Sequence, residues 1–167
     1  YEGALEETVE KTEPIFNGRV FRVEKLRVML PDGRESFREI VRHNGGAAVV
    51  AVDGEHCVYL VRQFRMAAGK VMLEIPAGKL EAGENPADCA ARELTEETGL
   101  TAKKIVPLTA VYATPGYCSE KLYLYLATDL EQGNPHRDPG EFLNIRKYPM
   151  QEVLDMIARG EIEDAKT

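Results

Sequence analysis

Three glutamates within five residues, Glu93, Glu96 and Glu97, are the part of this 167-residue chain with the clearest capacity for chemistry. Placed on a helix with Glu93 at zero, Glu97 falls at about 40° and Glu96 at about −60°, so the three carboxylates share a face. Ala87, Ala90, Ala91, Leu94 and Thr98 fall beside them, at about 60° to 160°, and form the stripe such a helix would bury. Glu93 and Glu97 are a like-charged i, i+4 pair, a cost of a few tenths of a kcal/mol on an open helix and more where water is partly excluded. A hard divalent cation removes that cost. Oxygen ligands suit Mg²⁺, and Mn²⁺ fits the same set. The competing reading is a solvated charged face, the usual setting of helix glutamates.

The wider spacing favours the metal. From Gly78, five residues lead to Glu84, seven more lead to Arg92, and Arg92-Glu93-Leu94-Thr95-Glu96-Glu97-Thr98-Gly99-Leu100 follows without a gap. This pattern resembles the signature box of the Nudix hydrolases with every fixed position filled, a coincidence expected on the order of a few times in a million for this composition. The resemblance implies an α/β fold, a Nudix-type α/β/α sandwich of mixed sheet, and hydrolysis of a nucleoside diphosphate linked to another group. It implies Glu93, Glu96 and Glu97 as metal ligands together with the carbonyl of Ala77. It further implies that Arg92 orients Glu96 or Glu93 by ion pairing and that Glu84 braces the loop. Gly78 is expected to allow a close backbone approach and an unusual φ. A metal of this kind screens the phosphates and activates water, so no nucleophilic side chain is required. His43, His56 and His136 have no Ser or Cys partner pattern and read as ordinary. Cys89, one turn before Glu93, is a poor ligand for a hard cation and reads as packing.

Within the family, the chain is similar to the ADP-ribose pyrophosphatase branch. Pro115 follows Leu100 by fifteen residues, in the loop Thr114-Pro115-Gly116-Tyr117-Cys118-Ser119-Glu120, although Pro-Gly is also an ordinary turn. The resemblance implies that Pro115 and Gly116 belong to the substrate loop, that Arg65 at the end of Arg62-Gln63-Phe64-Arg65 binds the diphosphate, and that Arg38 and Glu39 contact adenine. Glu120 would approach the terminal ribose. Alternating strand charge facing water is the plain alternative for the charged members. The general base or supplementary metal ligand is expected at Glu141, with Asp138 and Glu120 as competitors. The implied reaction takes ADP-ribose and water to AMP and ribose 5-phosphate; other nucleotide sugars or dinucleotides are alternative substrates. A non-catalytic ADP-ribose sensor is a third reading, against which the intact glutamates count. Similar proteins pair through their N-terminal strands, which implies a homodimer, with residues 1–42 at the interface and 43–167 as the hydrolase domain. A further C-terminal helix would be usual after Asp164-Ala165-Lys166-Thr167, and truncation or disorder is expected there.

These side chains need a scaffold, and the pattern supplies one. Val20 to Leu30 and Ser36 to Arg42 flank the turn signal Pro31-Asp32-Gly33 and predict an N-terminal β-hairpin extension. Ala47 to Val52, Val58 to Phe64 and Val71 to Ile75 predict three strands, and Asn85, Pro86 and Gly99 bracket one helix as N-cap, first residue and C′. Ile105 to Ala113, Lys121 to Ala127 and Phe142 to Tyr148 predict later strands, and Met150 to Ala158 a last helix. A net charge of −7 disfavours a nucleic-acid partner, so an anionic substrate needs local arginines and cations. No apolar run is long enough to span a membrane, no signal-peptide pattern opens the sequence, and three cysteines lack CxxC spacing. Reduced thiols in the cytoplasm are therefore expected.

Overall fold

The computed structural model describes residues 3–134 and 142–167. In order, the elements are β1 (Thr8–Asn17), β2 (Arg22–Met29), β3 (Glu35–Arg42), β4 (Gly46–Val52), β5 (Cys57–Arg65), β6 (Lys70–Glu74), β7 (Ala77–Lys79), α1 (Pro86–Thr98), β8 (Leu100–Tyr112), β9 (Lys121–Gln132), β10 (Leu143–Pro149) and α2 (Met150–Ala158). The chain divides into two compact units, residues 1–44 with 112–121, and residues 45–111 with 122–167.

In the first unit, β1, β2 and β3 form an antiparallel sheet. Gly33 at φ 83° closes the β2–β3 turn, with Leu30 and Arg34 bonded across it at 2.8 Å. The hairpin read from the sequence is thus present, and it carries one strand more. Thr8–Asn17 is exposed throughout, and its apolar residues Val9, Ile15 and Phe16 do not alternate, so apolar patterning gave no sign of it. It is held by backbone pairing to β2 and by cross-strand charge, such as Arg27 to Glu10 at 3.4 Å. The segment after β8 is tied to β3 by a parallel bridge of Val41 to Cys118, with Val41 N–H on Tyr117 O at 2.8 Å and Ser119 N–H on Val41 O at 2.9 Å.

The second unit is built on β4. Its sheet runs β10-β5-β4-β9-β8, with β6 on β5 and β7 on β4; β4 is parallel to β9 and antiparallel to β5 and β7. Nearly every residue of β4 is apolar because both its faces are covered. Ala47, Val49 and Ala51 pack with Cys89, Ala90 and Leu94 of α1, whereas Ala48 on the other face packs with Leu60, Ile75 and Val153 of α2. The result is a mixed sheet between two helices. Sequence bounds differ most at β8 and β9. The polar start of β8, at the sheet edge, lacks the apolar signal that begins at Ile105, and in β9 the alternation fails near Asp129, which sits at φ 55° while the strand continues to Gln132.

Candidate active site

Helix α1 is anchored at both ends. Asn85 accepts the Ala87 N–H at 2.9 Å, Pro86 occupies the first turn, and Gly99 at φ 75° gives its N–H to Thr95 O at 2.8 Å. Burying Cys89, Ala90 and Leu94 on β4 sets the rotation of the helix about its axis. That rotation turns Glu97 inward, where it is 4% exposed, and leaves Glu93 and Glu96 at the border of the buried face.

Arg92 gathers the acids around it. Its Nε donates to Glu84 Oε1 at 2.9 Å, and its Nη1 donates to both Glu93 Oε1 at 2.7 Å and Glu96 Oε2 at 2.8 Å. Nη2 reaches Lys79 O at 3.3 Å and Glu84 Oε2 at 3.2 Å. Glu84 also accepts the Glu81 N–H at 2.9 Å, so one guanidinium ties the loop to the helix. The Arg92 hydrogen bond holds the Glu84 carboxyl down at about 2, and its carboxylate partners, Glu84 foremost, keep Arg92 firmly protonated. Burial, then the nearby Glu84 charge, pushes the Cys89 thiol up to about 12. Cys89 is an inert packing residue against the carbonyls of Gly78 and Lys79.

The loop strand β7 lies against this helix. A Cβ on Gly78 would fall 1.8 Å from Glu93 Oε1, so glycine is what lets that carboxylate lie on the backbone. The φ of Gly78 is not positive, which corrects the expectation of an unusual backbone angle: Gly78 is ordinary strand, and steric space is the reason for it. Gly46 on the neighbouring strand is similarly tight, a Cβ there meeting Gly78 O at 2.7 Å. Glu97 Oε2 accepts the Ala77 N–H at 3.1 Å. In a strand the N–H and C=O of one residue point to the same edge, so the Ala77 carbonyl faces the Glu97 side. Glu93, Glu96, Glu97 and this carbonyl are hard oxygen donors of the kind that could hold a divalent cation, with Glu93 lying where a side chain at Gly78 would collide with it.

Among the described residues, three ligand atoms within 4.8 Å of one another occur instead at Asp53, Glu55 and Cys57. That grouping already holds a cation. Lys147 Nζ lies 2.7 Å from Asp53 and 2.5 Å from Glu55, and Asp53 Oδ1 accepts two backbone N–H groups. It is an ion-paired turn.

Arg65 sits at the end of β5 with its Nε and Nη2 forked onto Glu74 at 2.7 and 2.8 Å, and Lys166 Nζ reaches the same carboxylate at 2.6 Å. Burial raises the Glu74 carboxyl, but the Arg65 and Lys166 hydrogen bonds outweigh it and leave it below its ordinary value. Arg65 also feels the charge of Glu97. Glu74 and Lys166 were not singled out in the sequence. The available sign was a glutamate closing the apolar run Val71 to Ile75, just before Pro76.

In the first unit, an open cleft of about 290 Å³ is lined by Ile40, Arg42, Tyr112, Pro115, Tyr117, Cys118 and Ser119. Pro115 therefore lines a cavity, with the exposed Gly116 beside it. Ile40, Arg42 and Tyr112 are lining residues that sequence reasoning missed, although Arg38, Ile40 and Arg42 alternate onto one face of β3. Arg38 bonds to Ser36, to the Phe37 carbonyl and to Glu7, Glu39 is exposed on the opposite face, and Arg42 is paired with Glu24 at 2.8 Å. Glu120 lies 3.6 Å from His43 Nδ1. Asp138, Glu141 and His136 lie outside the described residues.

The model of the NUDIX domain matches residues 42–167. The chain is 42% identical to the ADP-ribose pyrophosphatase of Bacillus subtilis (strain 168), over 98% of this chain and 90% of that protein. It is 41% identical to the methanol dehydrogenase activator of Bacillus methanolicus, over 98% and 89% of the two chains. It is 38% identical to the ADP-ribose pyrophosphatase of Mycobacterium tuberculosis (strain ATCC 25618 / H37Rv), over 90% and 74%. With a filled box, a sheet between two helices that carries it, and similarity over nearly its whole length, this chain belongs to the Nudix family.

Proposed function

We propose that this protein hydrolyses the diphosphate of ADP-ribose, giving AMP and ribose 5-phosphate. The observation that carries this is the similarity to ADP-ribose pyrophosphatases over nearly the whole chain, joined to a box whose acids converge on one arginine. Glu93, Glu96, Glu97 and the Ala77 carbonyl would hold Mg²⁺, or Mn²⁺ in its place. When bound, the cation screens the diphosphate and lowers the pKa of the attacking water.

The chain's own residues do the rest. Arg92 holds Glu84 ionised and aligns Glu93 and Glu96 by hydrogen bonds, and Glu97 is aimed by the Ala77 amide. Arg65 is assigned to the diphosphate, since a guanidinium suits bidentate phosphate contacts. Arg38 and Glu39 are assigned to adenine, Pro115 and Gly116 to the substrate loop, and Glu120 to the ribose. The general base is assigned to Glu141, with Asp138 and Glu120 as the other carboxylates in contention.

A homodimer formed through residues 1–42 is part of the proposal, with residues 43–167 as the hydrolase domain. Its support is a fully exposed β1 and the exposed apolar side chains Val9, Ile15, Phe16 and Phe37. Sedimentation equilibrium should give twice the chain mass. A cytoplasmic location fits the three free thiols, and no helix among the described residues is long and apolar enough to cross a membrane.

Incubating the protein with ADP-ribose and Mg²⁺, with and without EDTA, should give AMP only where free metal is present. Absence of metal-dependent AMP would refute the assignment. Because a relative named as a dehydrogenase activator is nearly as similar, kcat/KM should also be compared across nucleotide sugars and dinucleotides, with ADP-ribose expected highest.

A further inference from the structure

Glu74 is the most buried charged side chain among the described residues, at 1% exposed, and the box makes no use of it. It is the centre of a row of alternating charge. Asp164 Oδ1 holds Lys166 Nζ at 2.9 Å, Lys166 Nζ holds Glu74 Oε2 at 2.6 Å, and Glu74 takes the Arg65 fork through both oxygens. Thr167 locks the row to the sheet: its Oγ1 donates to Asp164 Oδ2 at 2.6 Å and accepts the Ile75 N–H at 3.0 Å.

The two ends of the row differ in exposure. The Lys166 side chain is 10% exposed, whereas that of Arg65 is 42% exposed. With Asp164 also on Lys166, two cations balance two carboxylates along the row, and the bidentate fork of Arg65 adds orientation, which a point charge does not. With Nε and one Nη2 hydrogen spent on Glu74, the Nη1 edge has no partner among the described residues. It faces away from the buried carboxylate. Buried ion pairs contribute little net stability, so geometry is the better reason for this one.

We propose that Glu74, braced by Lys166, is a positioning residue that fixes the Arg65 guanidinium with its Nη1 edge presented to the substrate diphosphate. This rests on the reading that Arg65 meets the diphosphate. Glu74 and Lys166 touch no substrate; they act through Arg65.

A double-mutant cycle in the Mg²⁺-loaded enzyme tests it. Glu74→Gln should raise KM for ADP-ribose about tenfold with kcat within about threefold, the pattern of lost uniform binding. In an Arg65→Met background the same change should move KM less than about twofold, because the group it positions is gone. Lys166→Met should raise KM about threefold, and Lys166→Arg should restore it. Should Glu74→Gln not fold, Lys166→Met combined with Arg65→Met carries the same cycle. The proposal is overturned if either change multiplies KM equally with and without Arg65, or lowers thermal stability while leaving KM alone. Wild-type turnover reads the parent assignment separately. Calorimetric binding of pyrophosphate with Mg²⁺ reads the cycle without turnover, and equal losses in both backgrounds would again overturn it.

Discussion

Gly78→Ala adds one methyl group where the loop strand meets the acidic helix, and the structure fixes what that methyl meets: Glu93 Oε1 at 1.8 Å, Cδ at 1.9 Å and Oε2 at 2.4 Å. To reach even the tight limit of 3.0 Å the carboxylate must withdraw by about 1.2 Å, or the strand must lift off the helix. Neither is free. Glu93 Oε1 accepts from Arg92 Nη1 at 2.7 Å, and the same nitrogen holds Glu96, so withdrawal lengthens one charge-assisted bond and loosens the second. Lifting the strand would break its pairing with Gly46 to Ala48 and pull Ala77 from Glu97. The backbone angle at Gly78 is open to alanine, so steric displacement is the sole mechanism. About 1 kcal/mol of stability should be lost with the loosened hydrogen bond. A misplacement of about 1 Å in a catalytic group should lower kcat roughly 100-fold. The assay is AMP release at saturating ADP-ribose over a Mg²⁺ titration, beside urea unfolding. Gly54→Ala, where a Cβ meets nothing within 4 Å, is the control and should stay within about 0.5 kcal/mol of wild type. If Gly78→Ala kept its kcat within threefold and an unchanged Mg²⁺ half-saturation, the placement of Glu93 against this loop would be wrong.

Other perturbations probe the neighbouring groups. Glu97→Gln can still accept the Ala77 N–H, so thermal melting should change little, while kcat falls roughly 100- to 1000-fold; a wild-type rate would remove Glu97 from the metal site. Glu84 has a folded pKa depressed to about 2 by Arg92, so its contribution is present above the unfolded carboxylate range and is lost as pH falls from about 4.5 toward 2. After solvent screening, urea unfolding of the wild type should therefore lose about 1 kcal/mol from this group across that window, and Glu84→Gln should remove that part of the loss; parallel pH curves would contradict it. Leu94→Ala, at a fully buried contact of α1 with β4, should cost about 3 kcal/mol in urea unfolding, and a cost below 1 kcal/mol would mean the helix packs elsewhere.

The helix and its caps were legible because they are local. Asn85, Pro86 and Gly99 each act on backbone groups within four residues, and β4 announced itself as a short run of apolar residues. Strand β1 was not legible: what holds Lys11 and Glu13 in a strand is pairing to Arg27 and Lys25, an interaction without a local pattern. The box acids could be named from the resemblance their spacing carries, yet their arrangement could not. One arginine holding Glu84, Glu93 and Glu96 together depends on how closely β7 approaches α1, and that approach is set by Gly78 and Gly46, which are thirty-two positions apart in the chain. Glu74 and Lys166 stayed hidden for the same reason. Their pairing spans 92 residues, and each alone reads as a surface charge.

Glu93, Glu96 and Glu97 crowd like charge onto one segment of α1, and Glu84 joins them from the preceding loop through Arg92. Three carboxylates meet a single guanidinium, and a fourth, Glu97, lies inward and accepts the Ala77 amide. Swapping Glu93 or Glu97 for a neutral residue would ease the i, i+4 like-charge repulsion on the helix. The surrounding contacts work in the opposite direction. Arg92 holds Glu84 ionised, the Ala77 amide stabilises charge on Glu97, and Gly78 keeps the space beside Glu93 clear of a methyl group. A solvated charged face needs none of these devices, since water would screen each glutamate separately. Their convergence on the same four side chains is what supports the proposed cation site over a helix that is merely acidic.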